Sequence, residues 1–158
     1  MSKESFPEEE CDFDFSLIGI ISYLEEYKLA YFFNRSLHLN FIQDVTGLDY
    51  FDKPTNQHLY FPFFKCESLE QQAKYTLIKN KVDLIQETYL SEDMLLKKHK
   101  IQSYLLIPEQ KHFHYFLIIK DMTNQEENLT KRLNHFTFII HTTNIDVHSL
   151  KSKYNLIL

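Results

Sequence analysis

The stretch LLIPEQKHFHYFLII (Leu105–Ile119) decides how the fold of this 158-residue chain is interpreted. Two apolar runs flank a Pro-Glu step and a His-x-His pair, a pattern that predicts a β-hairpin. Pro108 has no backbone N–H to donate, so it should end the first strand. Glu109 would then lie in the turn, where its carboxylate can accept backbone N–H groups. This structural role is favoured over acid–base catalysis, which would need burial and a partner that tunes the pKa.

The second apolar run predicts a strand with two unequal faces. Side chains alternate between the two sides of a strand, so one face would be wholly apolar and belong to the core: Phe113, Tyr115, Leu117 and Ile119. The opposite face would be polar near the turn: His112, His114, Phe116, Ile118 and Lys120. Two histidines at alternate positions can ligate one metal ion, but only Glu109 could supply a third ligand nearby, and no HExxH or CxxC motif accompanies them. Exposed histidines at a strand end are the favoured interpretation, and neither a metal nor another cofactor is predicted.

Composition and charge exclude several classes of function. The chain has only two glycines, Gly19 and Gly47, so it can build neither a Walker loop nor a Rossmann fingerprint. A net charge of −5 does not provide the basic surface that nucleic-acid binding requires. No secretory signal opens the chain, and no apolar run approaches the roughly 18 residues of a membrane span. We therefore expect a cytoplasmic protein that binds neither nucleic acid nor membrane.

Aromatic residues are abundant, with 14 Phe, 10 Tyr and no Trp. A Phe-rich core with Tyr at its boundary would account for them. The alternative interpretation is an aromatic binding surface. No serine has the flanking glycines of a nucleophile elbow, so no catalytic residue is assigned.

The rest of the chain predicts one α+β domain over residues 12–158, after an acidic leader at 1–11 that we expect to be disordered. A capping box from Ser22 to Glu25 should open a long amphipathic helix from Tyr23 to about Leu39. Short helices are predicted at 91–100, at 127–136 and near the C-terminus. Strands are predicted at 12–21, 58–65, 72–81, 83–90, 136–143 and at the C-terminal end. The predicted fold is a mainly antiparallel sheet of about five to seven strands, with the long N-terminal helix and two or three short helices packed on it.

Four polar residues near predicted helix ends receive structural roles. Asn34 and Arg35 lie in the second half of the long helix, where a cation suits the helix dipole. Lys151 and Lys153 lie near the C-terminal helix, where they would satisfy the negative end of its dipole. Contact of these two lysines with an anion is the alternative.

The string IPEQKHFHY (Ile107–Tyr115) resembles the signature of the IPExxxVDY family, a group of small bacterial proteins named for that string. Four positions match: Ile107, Pro108, Glu109 and Tyr115. Phe113 and His114 stand where the family name has Val and Asp. Three further segments look similar to that family: LIGI (Leu17–Ile20), YKLAYFFN (Tyr27–Asn34) and LKSKYNLIL (Leu150–Leu158). The resemblance implies no activity, and the histidine at 114 argues against catalysis by an acid there.

Two functions follow from these patterns. The favoured one is a non-enzymatic interaction or accessory protein, which presents aromatic and helical surface to a cytosolic protein partner or to a second copy of itself. It requires an exposed aromatic patch. The alternative is a small metal-dependent or hydrolase-like enzyme with its pocket at the Pro-Glu turn, which requires Glu109, His112, His114 and Tyr115 to converge on a cleft. Together with Pro108, these four are the candidate binding residues of the chain.

Overall fold

The computed structural model describes residues 13–89, 97–121 and 126–158. Ten strands lie in these ranges: β1 (Ser16–Ile21), β2 (Ile42–Gln43), β3 (Leu48–Asp52), β4 (Gln57–Phe61), β5 (Phe63–Ser68), β6 (Ala73–Lys79), β7 (Lys81–Tyr89), β8 (Lys97–Leu105), β9 (Tyr115–Lys120) and β10 (His141–Ile145). Two α-helices accompany them: α1 (Glu26–Leu37) and α2 (Glu126–Asn134). Three short 3₁₀ helices follow: Pro108–Gln110, Val147–Ser149 and Lys153–Leu156. The leader predicted at 1–11 lies outside the described residues.

A six-stranded antiparallel sheet forms the centre of the fold, in the order β10-β1-β9-β6-β5-β2. Strand β9 lies between β1 and β6, with Phe116 opposite both Gly19 and Ile78. Its first five residues are buried, because a strand covered on both faces must be apolar on both. The prediction of a mainly antiparallel α+β fold is confirmed. Two separate two-stranded ribbons, β3–β4 and β7–β8, were not predicted.

The prediction of a β-hairpin across Leu105–Ile119 is wrong. Both strands form, but β8 pairs with β7, and β9 pairs with β1 and β6. Residues 106–114 form a loop that contains the 3₁₀ helix Pro108–Gln110. The chemistry of the two strands explains this arrangement. The polar β8 is stable in an exposed ribbon with its neighbour in sequence, whereas the apolar β9 requires a strand on each side.

The helices also differ from the prediction. Helix α1 has twelve residues and begins at Glu26, after an extended Glu25 with no side-chain cap. Ser22 Oγ accepts from Leu24 N (3.3 Å) before the helix and donates to Phe138 O (2.7 Å), so the predicted capping box does not open the helix. The fold therefore lacks the predicted long N-terminal helix, and α2 is the other α-helix of the described residues. Residues 97–100, predicted as helix, belong to β8, while 91–96 lie outside the described residues. The C-terminal segment forms two 3₁₀ helices and no strand.

Each face of the sheet carries its own core. Helices α1 and α2 cover one face, where Phe33 and Leu133 pack with Leu117. The other face is covered by β4, by the loop 106–114 and by the C-terminal 3₁₀ segments. A Cβ atom at Gly19 would lie 2.7 Å from the ring of Phe113, so a glycine lets this ring lie directly against β1.

Candidate functional site

The loop 106–114 is held in place by Asn80, a fully buried residue that follows β6. The side-chain amide makes three bonds to the loop backbone: Nδ2 donates to Gln110 O (3.1 Å) and Phe113 O (3.0 Å), and Oδ1 accepts from Ile107 N (2.9 Å). The backbone of Asn80 bonds both ends of the loop, at Leu106 N (2.7 Å) and His114 O (2.9 Å). A buried amide with all these partners stabilises one loop conformation, because any shift would leave polar groups unsatisfied.

Glu109 connects this loop to the C-terminal segment. Its carboxylate accepts the Ser152 backbone N–H (2.7 Å) and the Ser152 hydroxyl (2.9 Å). Partial burial acts to raise the pKa of Glu109, but the hydrogen bonds from Ser152 and from the backbone N–H groups of Glu109 and Lys151 together outweigh it, so that the pKa lies below its usual value. The carboxylate accepts a backbone N–H, but the donor lies 43 residues away along the chain. Pro108 is exposed and begins the 3₁₀ helix, where its missing N–H costs nothing.

His114 and Tyr115 hold the turn that leads from β1 into α1. The Nδ1 atom of His114 lies 2.7 Å from Ser22 O, and since a carbonyl oxygen only accepts, Nδ1 carries the proton. The Tyr115 hydroxyl donates to Leu24 O (2.6 Å). Burial, with a further contribution from the charges of Glu26 and Glu25, raises the pKa of Tyr115 well above its ordinary value. Tyr115 therefore acts here as a neutral hydrogen-bond donor.

The residues of the proposed enzyme site do not converge. His112 is exposed, and its ring centroid lies 4.2 Å from that of Phe113. Glu109 binds Ser152, while His114 and Tyr115 face the turn before α1. Within the described residues, no three His, Cys, Asp or Glu side chains are placed to hold a metal ion together. The four-residue cleft that the enzyme interpretation requires is not formed.

A surface pocket of about 290 Å³ does lie beside His114 and Tyr115. We call it the His114 pocket, and its lining is Ser22, Tyr23, Leu24, Glu25, Lys79, Lys81, Lys111, Phe113, His114 and Tyr115. Lys79 Nζ lies 3.3 Å from Glu26 Oε2, and Lys81 Nζ lies 3.7 Å from Asp83 Oδ1. Lys111 forms no ion pair within the described residues. The charged groups of the lining are thus mainly cationic, and its walls are largely apolar.

A second exposed feature runs along the outer side of α1. We call it the aromatic face, and its members are Tyr23, Tyr27, Tyr31, Phe32 and Phe138. Tyr23 is 87% exposed, and Tyr27 and Tyr31, four residues apart on one side of the helix, are 56% and 53% exposed. Phe32 stacks on Phe138 with a centroid distance of 5.1 Å. The Arg35 guanidinium donates to the Tyr31 hydroxyl (3.2 Å) and lies 5.9 Å from its ring centroid.

The remaining residues with predicted structural roles behave differently from one another. Asn34 accepts from Phe41 N (2.6 Å) and donates to Phe41 O (3.3 Å), which fixes the chain after α1. Lys153 begins the last 3₁₀ helix and does not end a helix, and its Nζ lies 4.9 Å from the ring centroid of Phe13. Lys151 is exposed in a turn. The helix-dipole interpretation therefore does not apply to these two lysines.

Asn80 and Ser152 were missed by the sequence reasoning. Asn80 lies between two lysines at the boundary of two strands, where asparagine is typical of turns. That signal could have suggested a turn, but it does not show that the amide would be buried. Ser152 meets Glu109 only through tertiary contacts, so its role has no local signal.

The fold and the two surface features define a mainly antiparallel α+β domain with a lysine-lined pocket beside an exposed aromatic helix. No protein-family model, curated protein or solved structure matches this chain. Neither helix of the described residues has the length and apolar character needed to cross a membrane.

Proposed function

We propose that this protein is a non-enzymatic interaction protein that binds a cytosolic protein partner through its aromatic face. The observation that carries the proposal is the exposure of Tyr27 and Tyr31 along one side of α1, and of Tyr23 three residues before the helix begins. Tyrosine and arginine are enriched at the hot spots of protein interfaces. A large ring provides contact area while only two side-chain torsions have to be ordered.

The order of the rings supports the same proposal. A solvent-facing helix side is usually charged or polar, whereas α1 exposes Tyr27, Tyr31 and Phe32. Phe32 stacks on the partly buried Phe138 with a centroid distance of 5.1 Å. The Arg35 guanidinium orders the ring of Tyr31 by a hydrogen bond to its hydroxyl. Rings that are already ordered lose less conformational entropy on binding, so they favour association.

The hydrogen bonds of the IPE motif support a non-enzymatic role. Glu109, His114 and Tyr115 each bond to the backbone of another part of the chain. Ile107 is fully buried on the second core. We also propose membership of the IPExxxVDY family on the basis of this motif, whose matched positions would then serve the architecture of the domain.

The test is affinity purification of the full chain from its native cells, combined with light scattering of the purified protein. The test variant is Tyr27→Ala with Tyr31→Ala. The matched control is Phe51→Ala with Tyr60→Ala, which removes two exposed rings from the β3–β4 ribbon. Because a hot-spot tyrosine contributes about 2 kcal/mol or more, the test variant should bind the partner at least about 100-fold more weakly.

The expected result is a stoichiometric protein partner that is lost with the test variant and retained with the control. If both variants captured the partner equally, the aromatic face would not be part of the interface. A chain that purifies alone would contradict binding to another protein, and light scattering would then report whether a second copy occupies the face.

A further inference from the structure

We infer that the His114 pocket binds a small organic anion. Its carboxylate or phosphate oxygen atoms would contact the lysines, and its apolar part would lie against Tyr23 and Phe113. This inference goes beyond the proposed function, because it needs no protein partner, and the two surfaces share only Tyr23.

The charge of the lining is the first argument. The whole chain carries a net charge of −5, yet the pocket brings together three lysines and a single acid, Glu25. Lys79 and Lys81 have acidic neighbours, but those pairs are partly exposed, and such pairs contribute little, so both ammonium groups can also serve a ligand. Lys111 has no ion-pair partner in the described part of the chain. An anion would therefore find one free cation and two that are weakly held.

The shape and polarity of the pocket are the second argument. Tyr23, Leu24 and Phe113 provide apolar walls, and the ring centroid of Tyr23 lies 5.7 Å from that of His114. Apolar walls with a few placed polar groups are typical of small-molecule sites. The pocket volume of about 290 Å³ exceeds the roughly 150 Å³ of a protein cavity that binds benzene, so one ring with an anionic group can be accommodated.

The ring orientation of His114 is the third argument. Its Nδ1–H is used by Ser22 O, which fixes the imidazole plane before any ligand arrives. Nε2 is the remaining polar atom of the ring, and it can accept a hydrogen bond from a ligand or donate one when protonated. A fixed polar group costs less entropy on binding than a mobile one.

The experiment is an NMR titration of the ¹⁵N-labelled full chain with benzoate, with phenyl phosphate and with neutral benzamide. We expect saturable shifts at the lining residues with both anions and binding at least about tenfold weaker for benzamide, since a charged hydrogen bond is worth roughly that factor. The tighter of the two anions identifies the anionic group that the site prefers. Equal binding of benzamide would overturn the inference, as would shifts confined to other surfaces.

Variants locate the site. Lys111→Gln should weaken anion binding by about tenfold. Lys53→Gln, which removes the same charge from the exposed β3–β4 turn, should leave it unchanged. Both lysines are exposed, so unfolding midpoints close to that of the unchanged chain are expected and serve as the folding control. If the two variants weakened anion binding equally, the effect would come from the net charge of the protein, and a specific site would be overturned. Neither variant touches Tyr27 or Tyr31, so failure here is distinguishable from failure of the proposed function.

Discussion

Replacing Asn80 by alanine should destabilise the fold strongly, although the substitution removes only one small amide group. The substitution deletes three hydrogen bonds and leaves Ile107 N, Gln110 O and Phe113 O without their partner. An unsatisfied buried backbone group costs about 1–3 kcal/mol, and the bond to Gln110 is only partly buried, so the sum is about 4 kcal/mol. Typical domains have only about 5–15 kcal/mol of stability, so this is a large share of the total.

The assay is urea unfolding of the full chain followed by circular dichroism. Asn155→Ala is the matched control, because it removes a single partly buried bond, from Nδ2 to Leu106 O (2.8 Å), and should cost about 1 kcal/mol. The denaturant slope should stay constant if both variants change stability alone. The reasoning would be refuted if Asn80→Ala cost no more than Asn155→Ala, since the buried amide would then not be what holds the loop.

Two further predictions concern the same loop and its neighbours. Gly19→Ala should lower stability by about 1–3 kcal/mol or more, because the new Cβ overlaps the Phe113 ring in a packed core; an unchanged urea midpoint would contradict this close packing. Glu109→Gln should reduce the pH dependence of stability. The pKa of Glu109 is lowered in the fold, so its carboxylate stabilises the protein above the unfolded pKa of about 4.3, and this contribution is lost as the pH falls through the folded pKa. The difference in unfolding free energy between the two chains should therefore shrink on going from neutral to acidic pH, and a constant difference would argue against the bonds to Ser152.

Local features of the fold could be predicted because they depend on neighbours in sequence. The apolar run from Tyr115 to Ile119 forms the buried strand that was predicted. The helical spacing of Leu24, Tyr27, Tyr31, Phe33 and Leu37 predicted the helix α1, although its buried side is formed by Leu29, Phe33 and Leu37 and the two tyrosines are exposed. The α+β class follows from the mixture of these two periods. The predicted start at Tyr23 lies three residues before the observed start of α1 at Glu26, because Ser22 Oγ accepts from Leu24 N outside the helix.

The candidate site was predicted less well, since its geometry depends on contacts between distant segments. His114 and Tyr115 were among the predicted binding residues and both line the His114 pocket, but Lys79 and Lys81 come from two other strands, β6 and β7. Glu109 was expected to set a hairpin turn, whereas it reaches the C-terminal segment. None of these tertiary contacts can be recognised from a pattern of a few neighbouring residues in the sequence.

By itself, the sequence determined the alternation of buried strands and amphipathic helix, the absence of glycine-rich phosphate loops and the presence of surplus tyrosines. Only the tertiary structure decided that β8 and β9 separate, that Asn80 holds the loop between them and that the tyrosines of α1 stay exposed. The physical reason is that hydrophobic periodicity reports which side of an element is buried. It does not report which element buries it, because strand partners and buried polar contacts are selected by the packing of the whole chain.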